Sequence, residues 1–159
     1  MKIFISHKKE DEETALKVVN TLLSVGVAAY LDLLDNITAD DGEKLTKHIR
    51  GKLRECTDVI VILSSNTKKS WWVPFEIGMA TEKDMPIANY LISHESLPDY
   101  LTYWPRLKCA EDVLTYVEIR NKVSSQILWE KAMEHGYFQK ADSGMSETQK
   151  FYQELKRHL

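Results

Sequence analysis

Asp58 to Leu63 reads D-V-I-V-I-L, and its five consecutive apolar residues leave no polar face. Val and Ile at that density favour a strand. Without polar alternation, the strand must be covered on both sides, as in a parallel sheet flanked by helices. Lys2 to Ser6 (K-I-F-I-S) is a second run of this kind, and Val27 to Leu31, closed by Asp32, is a third. Met85 to Ile92 is a fourth, with Pro86 near its start, where a missing amide donor does least harm. Arg106 to Cys109 gives a short fifth strand.

The intervening segments carry helical periodicity. Glu10 to Ser24 sets Ala15, Val18, Val19, Leu22 and Leu23 at helical spacing, with acidic residues in the first turn and Gly26 as the stop. Glu43 to Glu55 places Leu45, Ile49 and Leu53 on one face. A third helix runs from within Ser70 to Ala80 (S-W-W-V-P-F-E-I-G-M-A) to about Lys83. From Ala110 one helix carries Val113, Leu114, Val117 and Val123, and another spans Ile127 to Met133. Breaks fall at Gly136 and at Asp142-Ser143-Gly144; Ser146 and Gln149 then match a capping box before the stripe Phe151, Tyr152, Leu155, Leu159.

Strand and helix in this rhythm imply parallel pairing and right-handed crossovers. The predicted fold is a doubly wound (flavodoxin-like) α/β sheet of about five strands in a single domain. Residues 1–110 form the core α/β part, and residues 111–159 a helical part packed on it. Numbered along the chain, the predicted strand order is 2-1-3-4-5. The winding reverses between strands 1 and 3, and ligands of such sheets bind outside the strand carboxyl ends at that reversal. Three loops meet there: Ser6-His7-Lys8-Lys9, the segment from Asp32 onward, and Ser64-Ser65-Asn66. Leu33 to Gly42 reads as a loop longer than the usual strand-to-helix connection, and such loops are often functional.

Composition removes several function classes. The net charge of -3 lacks the basic excess that neutralises phosphates, so nucleic acid is not an expected partner. No apolar run approaches the roughly 20 residues of a helical span, and the N-terminus has no signal-peptide layout, so a cytoplasmic protein without a membrane partner is expected. Cys56 and Cys109 are far apart and are read as small buried hydrophobes; the histidines lack ligand spacing, and no metal site is predicted. There is no glycine-rich phosphate loop and no G-x-S-x-G elbow.

What remains is a carboxylate beside aromatics. A helix starting near Val73, with Pro74 at its first position, puts Glu76 in the first turn, where the helix dipole favours the ionised form. An ionised carboxylate in a crevice suits stabilisation of a sugar cation as a glycosidic bond breaks. Trp72, one turn earlier, stands on the same face and has a ring that stacks on planar groups. Trp71 points roughly 100° away and is read as packing. Dipole complementarity and core packing are the ordinary readings of such residues, and residue type alone does not separate the two accounts.

The blocks F-I-S-H-K-K-E-D (Phe4 to Asp11), Tyr30-Leu31-Asp32, V-I-V-I-L-S-S (Val59 to Ser65) and Ser70 to Ala80 together resemble a bacterial Toll/interleukin-1 receptor (TIR) domain, over about residues 1–110. The resemblance implies NAD+ cleavage at the nicotinamide-ribosyl bond, with NAD+ as substrate and no cofactor. It implies Glu76 as catalytic residue and Phe4, Ser6, His7, Asp32 and Trp72 as substrate-binding residues. It further implies that residues 33–42 gate the site and, with neighbouring helices, mediate self-association. The family type is then a stand-alone bacterial protein of antiphage signalling, making a nucleotide signal for a downstream effector or depleting NAD+. Residues 33–42 lack the Arg-Asp…Pro-Gly pattern of animal and plant members. A non-catalytic TIR scaffold and a nucleoside deoxyribosyltransferase-like enzyme are the alternative readings.

Overall fold

The computed structural model describes residues 1–31, 42–67, 70–92, 99–134 and 145–159. Five parallel strands form one sheet: β1 (Lys2–Ser6), β2 (Ala28–Leu31), β3 (Asp58–Leu63), β4 (Ile87–Leu91) and β5 (Arg106–Leu107). Their order is β2-β1-β3-β4-β5, as the sequence predicts. All six residues of β3 are buried, and Ile3, Phe4 and Ile5 of neighbouring β1 are wholly inaccessible.

Right-handed crossovers in this order place α1 (Glu12–Ser24) on one face of the sheet and α2 (Gly42–Arg54) and α3 (Trp72–Glu82) on the other. α4 (Ala110–Glu134) packs against α1, and α5 (Glu147–Leu155) against α4. Burial of Ala15, Val18 and Leu22 on α1, and of Leu45, Ile49 and Leu53 on α2, follows the predicted stripes. Gly26, at φ 74, ends α1, with the Val27 N–H donating to Leu22 O at 3.0 Å. α3 ends the same way through Asp84, at φ 50, with Met85 N–H donating to Ala80 O at 3.1 Å. Asp is among the few residues besides glycine that enter this region readily.

Four expectations need correction. The predicted break between Val123 and Ile127 does not occur, and α4 runs unbroken for 25 residues. Ser124, inside the expected gap, is held in the helix by a hydrogen bond from Arg120 Nη1 at 2.6 Å and its own bond to Glu147 Oε1 at 2.9 Å. α3 begins at Trp72, so Pro74 is its third residue and Glu76 its fifth. Cys109 is exposed, whereas Cys56 is buried. Leu159 is 42% exposed and lies beyond α5, so the stripe on that helix is Phe151, Tyr152 and Leu155. The capping box at Ser146 and Gln149 is present in full. The expected breaks at Gly136 and 142–144 lie outside the described residues.

At the foot of the sheet, Asp58 opens β3 wholly buried. Tyr116 Oη donates to its Oδ1 at 2.9 Å and Arg120 Nε at 3.0 Å. Arg120 Nη1 also reaches Glu147 Oε1 at 2.5 Å, so one guanidinium ties β3 and α4 to the start of α5. Burial, reinforced by the Asp58 charge, pushes the Tyr116 phenol well above its ordinary value and keeps it a donor. α5 also accepts the Ile87 N–H on Tyr152 Oη at 2.7 Å, at the start of β4.

Two predictions follow from this anchor. Removing the cation with Arg120→Met leaves a buried carboxylate short of its partner, and urea unfolding is expected to show a loss of about 3–5 kcal/mol; Tyr116→Phe costs about 1–3 kcal/mol. The Arg120 hydrogen bond holds the Glu147 carboxyl below its ordinary value of 4.5, with Ser124 assisting against the opposing effect of burial. A depressed folded-state pKa contributes stability above the unfolded value and loses it as pH falls through the folded value. Stability is therefore expected to decline below about pH 4.5, and Glu147→Gln to flatten that part of the profile, as measured by urea titrations across pH.

Candidate functional site

The carboxyl ends of β1 and β3 bring together Ser6, Asp11, Thr67 and Glu76, each a buried polar side chain. Two hydrogen-bonded units are built from them. In the first, Ser6 Oγ donates to Glu76 Oε2 at 2.5 Å, joining the last residue of β1 to the second turn of α3. Ser6 has no exposed surface and Glu76 only 2%. The helix start at Trp72 puts Glu76 beyond the first turn, so the serine hydroxyl, more than the helix end, answers its charge; the dipole effect fades within that turn.

In the second unit, Asp11 directs its carboxylate into the loop that leaves β3. It accepts Ser64 Oγ at 2.6 Å on Oδ2 and Asn66 Nδ2 at 3.0 Å on Oδ1, with Thr67 Oγ1 at 3.4 Å. Thr67 Oγ1 also donates to Ile62 O at 3.1 Å and accepts Ser64 N–H at 3.1 Å, which closes the loop on the end of its own strand. From there Ser70 N–H reaches Thr67 O at 2.9 Å, and Ser70 Oγ accepts Val73 N–H at 3.2 Å, leading into α3. Asp11 thus fixes the path by which the chain delivers Glu76 to Ser6.

The other expected site residues fall into distinct places. Phe4 is wholly buried two residues before Ser6, its ring 5.5 Å from that of Tyr30, so it forms part of the floor beneath the crevice. Tyr30 Oη lies 3.0 Å from His48 Nε2, linking β2 to α2. His7 is half-buried, just past β1. Trp72 is also half-buried, edge-on to Phe75 with ring centroids 5.8 Å apart. Asp32 and residues 33–41 lie outside the described residues, as do Lys68 and Lys69. Trp71, expected as packing, is 90% exposed and is the more open of the two tryptophans. Asp11 was read only as a first-turn acid and part of the F-I-S-H-K-K-E-D block, since its partners are 53 to 56 residues away and local pattern does not reach them.

Among the described residues no cluster of His, Cys, Asp and Glu has the arrangement of a metal site, and no helix is long and apolar enough to cross a membrane. A buried carboxylate held by a hydroxyl at the reversal of an α/β sheet is equipped for electrostatic stabilisation of a developing cation. With no nucleophilic thiol or Ser–His pair brought to Glu76 among the described contacts, acyl-transfer chemistry finds no machinery there.

Comparison with known proteins agrees with this geometry. The chain is 31% identical over 80 residues to a protein of Bacillus cereus (strain MSX-D12) named as a probable 3' cyclic ADP-D-ribose synthase, ThsB'. The match covers 48% of this chain and 41% of that relative, so this chain spans well under half its length. Among solved structures, a 2-deoxyribosyltransferase from Bacillus psychrosaccharolyticus superposes with a TM-score of 0.59 at 15% identity, covering 71% of this chain and 90% of the other. The TIR domain of the Toll-related receptor TRR-2 of Hydra magnipapillata gives 0.57 at 17% identity, covering 77% and 95%. At such identities the two structures show a common fold alone. The family model described as TIR domain matches residues 3–134, which include every strand, the Ser6–Glu76 pair and the Asp11 loop anchor, and the chain therefore belongs to the TIR domain family.

Proposed function

We propose that this protein is an NAD+ nucleosidase that cleaves the nicotinamide-ribosyl bond, as a glycohydrolase or an ADP-ribosyl cyclase. The observation that carries the reading is the buried Glu76 carboxylate, fixed by Ser6 where the winding of the sheet reverses. The name of the Bacillus cereus relative, a cyclic ADP-D-ribose synthase, supports the same substrate and reaction class.

In the proposed mechanism the C1'–N bond of the nicotinamide riboside breaks, and its electron pair returns to the pyridinium ring, releasing neutral nicotinamide. Positive charge then develops across C1' and the ribose ring oxygen. Glu76 stabilises that charge through space, and Ser6 keeps its carboxylate oriented, so little reorganisation is needed in the transition state. Water adding to C1' gives ADP-ribose and a proton; a nucleophilic atom of the same ADP-ribose gives a cyclic product instead. Phe4, His7, Asp32 and Trp72 are assigned to the walls of the substrate site, and Trp72 offers a ring face for a planar group. In the cell the reaction serves antiphage defence, by depleting NAD+ or by producing a nucleotide that a downstream effector reads. Self-association, through residues 33–42 and the neighbouring helices, accompanies catalysis.

A second reading, a TIR module that assembles without catalysis, is favoured by the 2% exposure of Glu76 in the unliganded chain. The two are separated by mass spectrometry of products from NAD+, with protein concentrations raised until the chain assembles. Glu76→Gln is expected to lower turnover by at least about 10²–10³-fold. Turnover equal to that of the unsubstituted chain would remove Glu76 from the mechanism, and absence of cleavage by the assembled protein would favour the module. A deoxynucleoside and a free base, supplied together, test for base exchange as a third outcome.

Two further substitutions report on positioning. Ser6→Ala is expected to reduce kcat about tenfold or more with a smaller change in KM, because a charge-assisted hydrogen bond is worth about 1.5–3 kcal/mol. Asp11→Asn is expected to destabilise the fold by about 1–3 kcal/mol in urea unfolding and to lower kcat, through the lost carboxylate acceptor of the loop. Asp11→Asn combined with Asn66→Asp restores an amide-to-carboxylate pair in reverse and is expected to recover part of both.

A further inference from the structure

The two layers of helices carry opposite charge. On α2 the cations Lys44, Lys47, Arg50, Lys52 and Arg54 face a single carboxylate, Glu43, and Lys83 follows α3. On the opposite side of the sheet, α1 and the first three turns of α4 carry Glu12, Glu13, Glu111, Asp112 and Glu118 against Lys17, which is already paired with Glu13 at 2.7 Å. In a chain of net charge -3, a helix layer this basic is a segregated feature and not a sample of the average surface.

Each charged layer also exposes apolar side chains. Trp71 and Phe75, one turn apart, are 90% and 38% exposed on the basic side. Beside them, Arg50 and Arg54 from α2 and Phe75, Gly78 and Met79 from α3 line an open groove. Lys47 and Lys52 are engaged by Glu43 and Glu55, whereas Arg50 and Arg54 have no carboxylate partner among the described residues. The acidic side presents Leu16 and Leu23 of α1 and Leu114 of α4, at 43%, 56% and 39% exposure. Lys17 and the Cys109 to Asp112 start of α4 all act on Tyr90, which places the middle of α1 beside the acidic start of α4.

We propose that the basic, aromatic α2–α3 face of one copy docks on the acidic, leucine-bearing α1–α4 face of a second copy. This deepens the self-association part of the proposed function, by naming its surfaces, and is independent of NAD+ cleavage. The leucines supply apolar partners for Trp71 and Phe75, and Glu111 and Glu118 supply carboxylates for Arg50 and Arg54. Arginine forks suit such carboxylates through paired hydrogen bonds. Because the two faces lie on opposite sides of one sheet, the contact is heterologous. Each docked copy still offers a free face of each sign, and the assembly grows head to tail until it closes or is capped.

Sedimentation velocity over a range of concentrations tests this with four samples of the full chain. The unsubstituted chain is expected to show a sedimentation coefficient that rises with concentration and falls back toward the monomer as salt is raised well above physiological strength. Arg50→Glu with Arg54→Glu, and separately Glu111→Lys with Glu118→Lys, are each expected to remain monomeric. An equimolar mixture of these two variants is expected to form a heterodimer at least, because one retains the native acidic face and the other the native basic face. Gly78→Leu is a second probe that leaves every charge in place; a Cβ at Gly78 meets open space, so the side chain fills the groove without disturbing the helix. It is expected to weaken association at least tenfold.

If the unsubstituted chain stays monomeric throughout, both this interface and the self-association reading fail. If it associates but the variants associate equally well, only the assignment of faces fails. Co-sedimentation of the monomer with phosphatidylserine vesicles, lost on Trp71→Ala, would instead assign the basic face to an anionic lipid surface and overturn the proposal.

Discussion

A strand with no wet face is the constraint from which this architecture follows. Every residue of β3 is buried, so the sheet requires a helix layer on each side, and parallel pairing with right-handed crossovers is the economical way to supply both. Burial of apolar side chains on both faces contributes about 25 cal/mol per Å2 removed from water, and no alternating strand of the same length gathers as much. Once β3 is central, β1 must lie beside it, β2 beyond β1, and the chain must reverse its winding between them. The crevice that holds Glu76 is a geometric consequence of that reversal.

The two ends of β3 handle polarity differently, and the difference separates anchor from site. At the foot, Asp58 is wholly buried but receives a phenol and a guanidinium, and the guanidinium continues to Glu147 and Ser124. That network fastens α4 and α5 to the sheet and leaves its carboxylate committed to structure. At the head, Asp11 is likewise committed, taking the hydroxyl and amide groups of the loop that leaves β3. Glu76 differs from both in having a neutral hydroxyl, from Ser6, as its closest described donor. No guanidinium or ammonium neutralises it among the described contacts, so its field remains available to a cation arriving from outside.

Much of this was legible in the sequence wherever a local pattern had a local cause. The five-residue apolar run, the stripes of α1 and α2, the Gly26 stop and the Ser146 capping box each depend on neighbours within a few positions, and each is present as read. The misreadings share a different origin. α4 was divided because Ser124, Ser125 and Gln126 interrupt its apolar spacing; Arg120 and Glu147 hold Ser124 in place, and Glu147 is 23 residues away. The start of α3 was put at Val73 on the usual position of a helical proline, but the helix begins at Trp72 and carries Pro74 within its first turn, where the backbone N–H has no intrahelical acceptor to lose. That small shift changes the account of Glu76 from a dipole-stabilised acid to a carboxylate held by Ser6.

The reversed status of the two tryptophans joins the site to the surface. Trp72 is drawn halfway into the protein edge-on to Phe75, while Trp71, at the N-cap, is left almost entirely in water. A side chain of that size gains most from burial and is seldom left so open without a use for its surface. Phe75 faces both ways: its ring edge contacts Trp72 beside the catalytic glutamate, and its exposed part borders the groove between α2 and α3. Any partner pressing on that groove therefore bears on Phe75, through it on Trp72, and on the helix turn that carries Glu76. Occupancy of the outer face and the geometry of the inner carboxylate are mechanically linked by three consecutive turns of one helix, which gives assembly a direct route to the site without any change in the sheet beneath it.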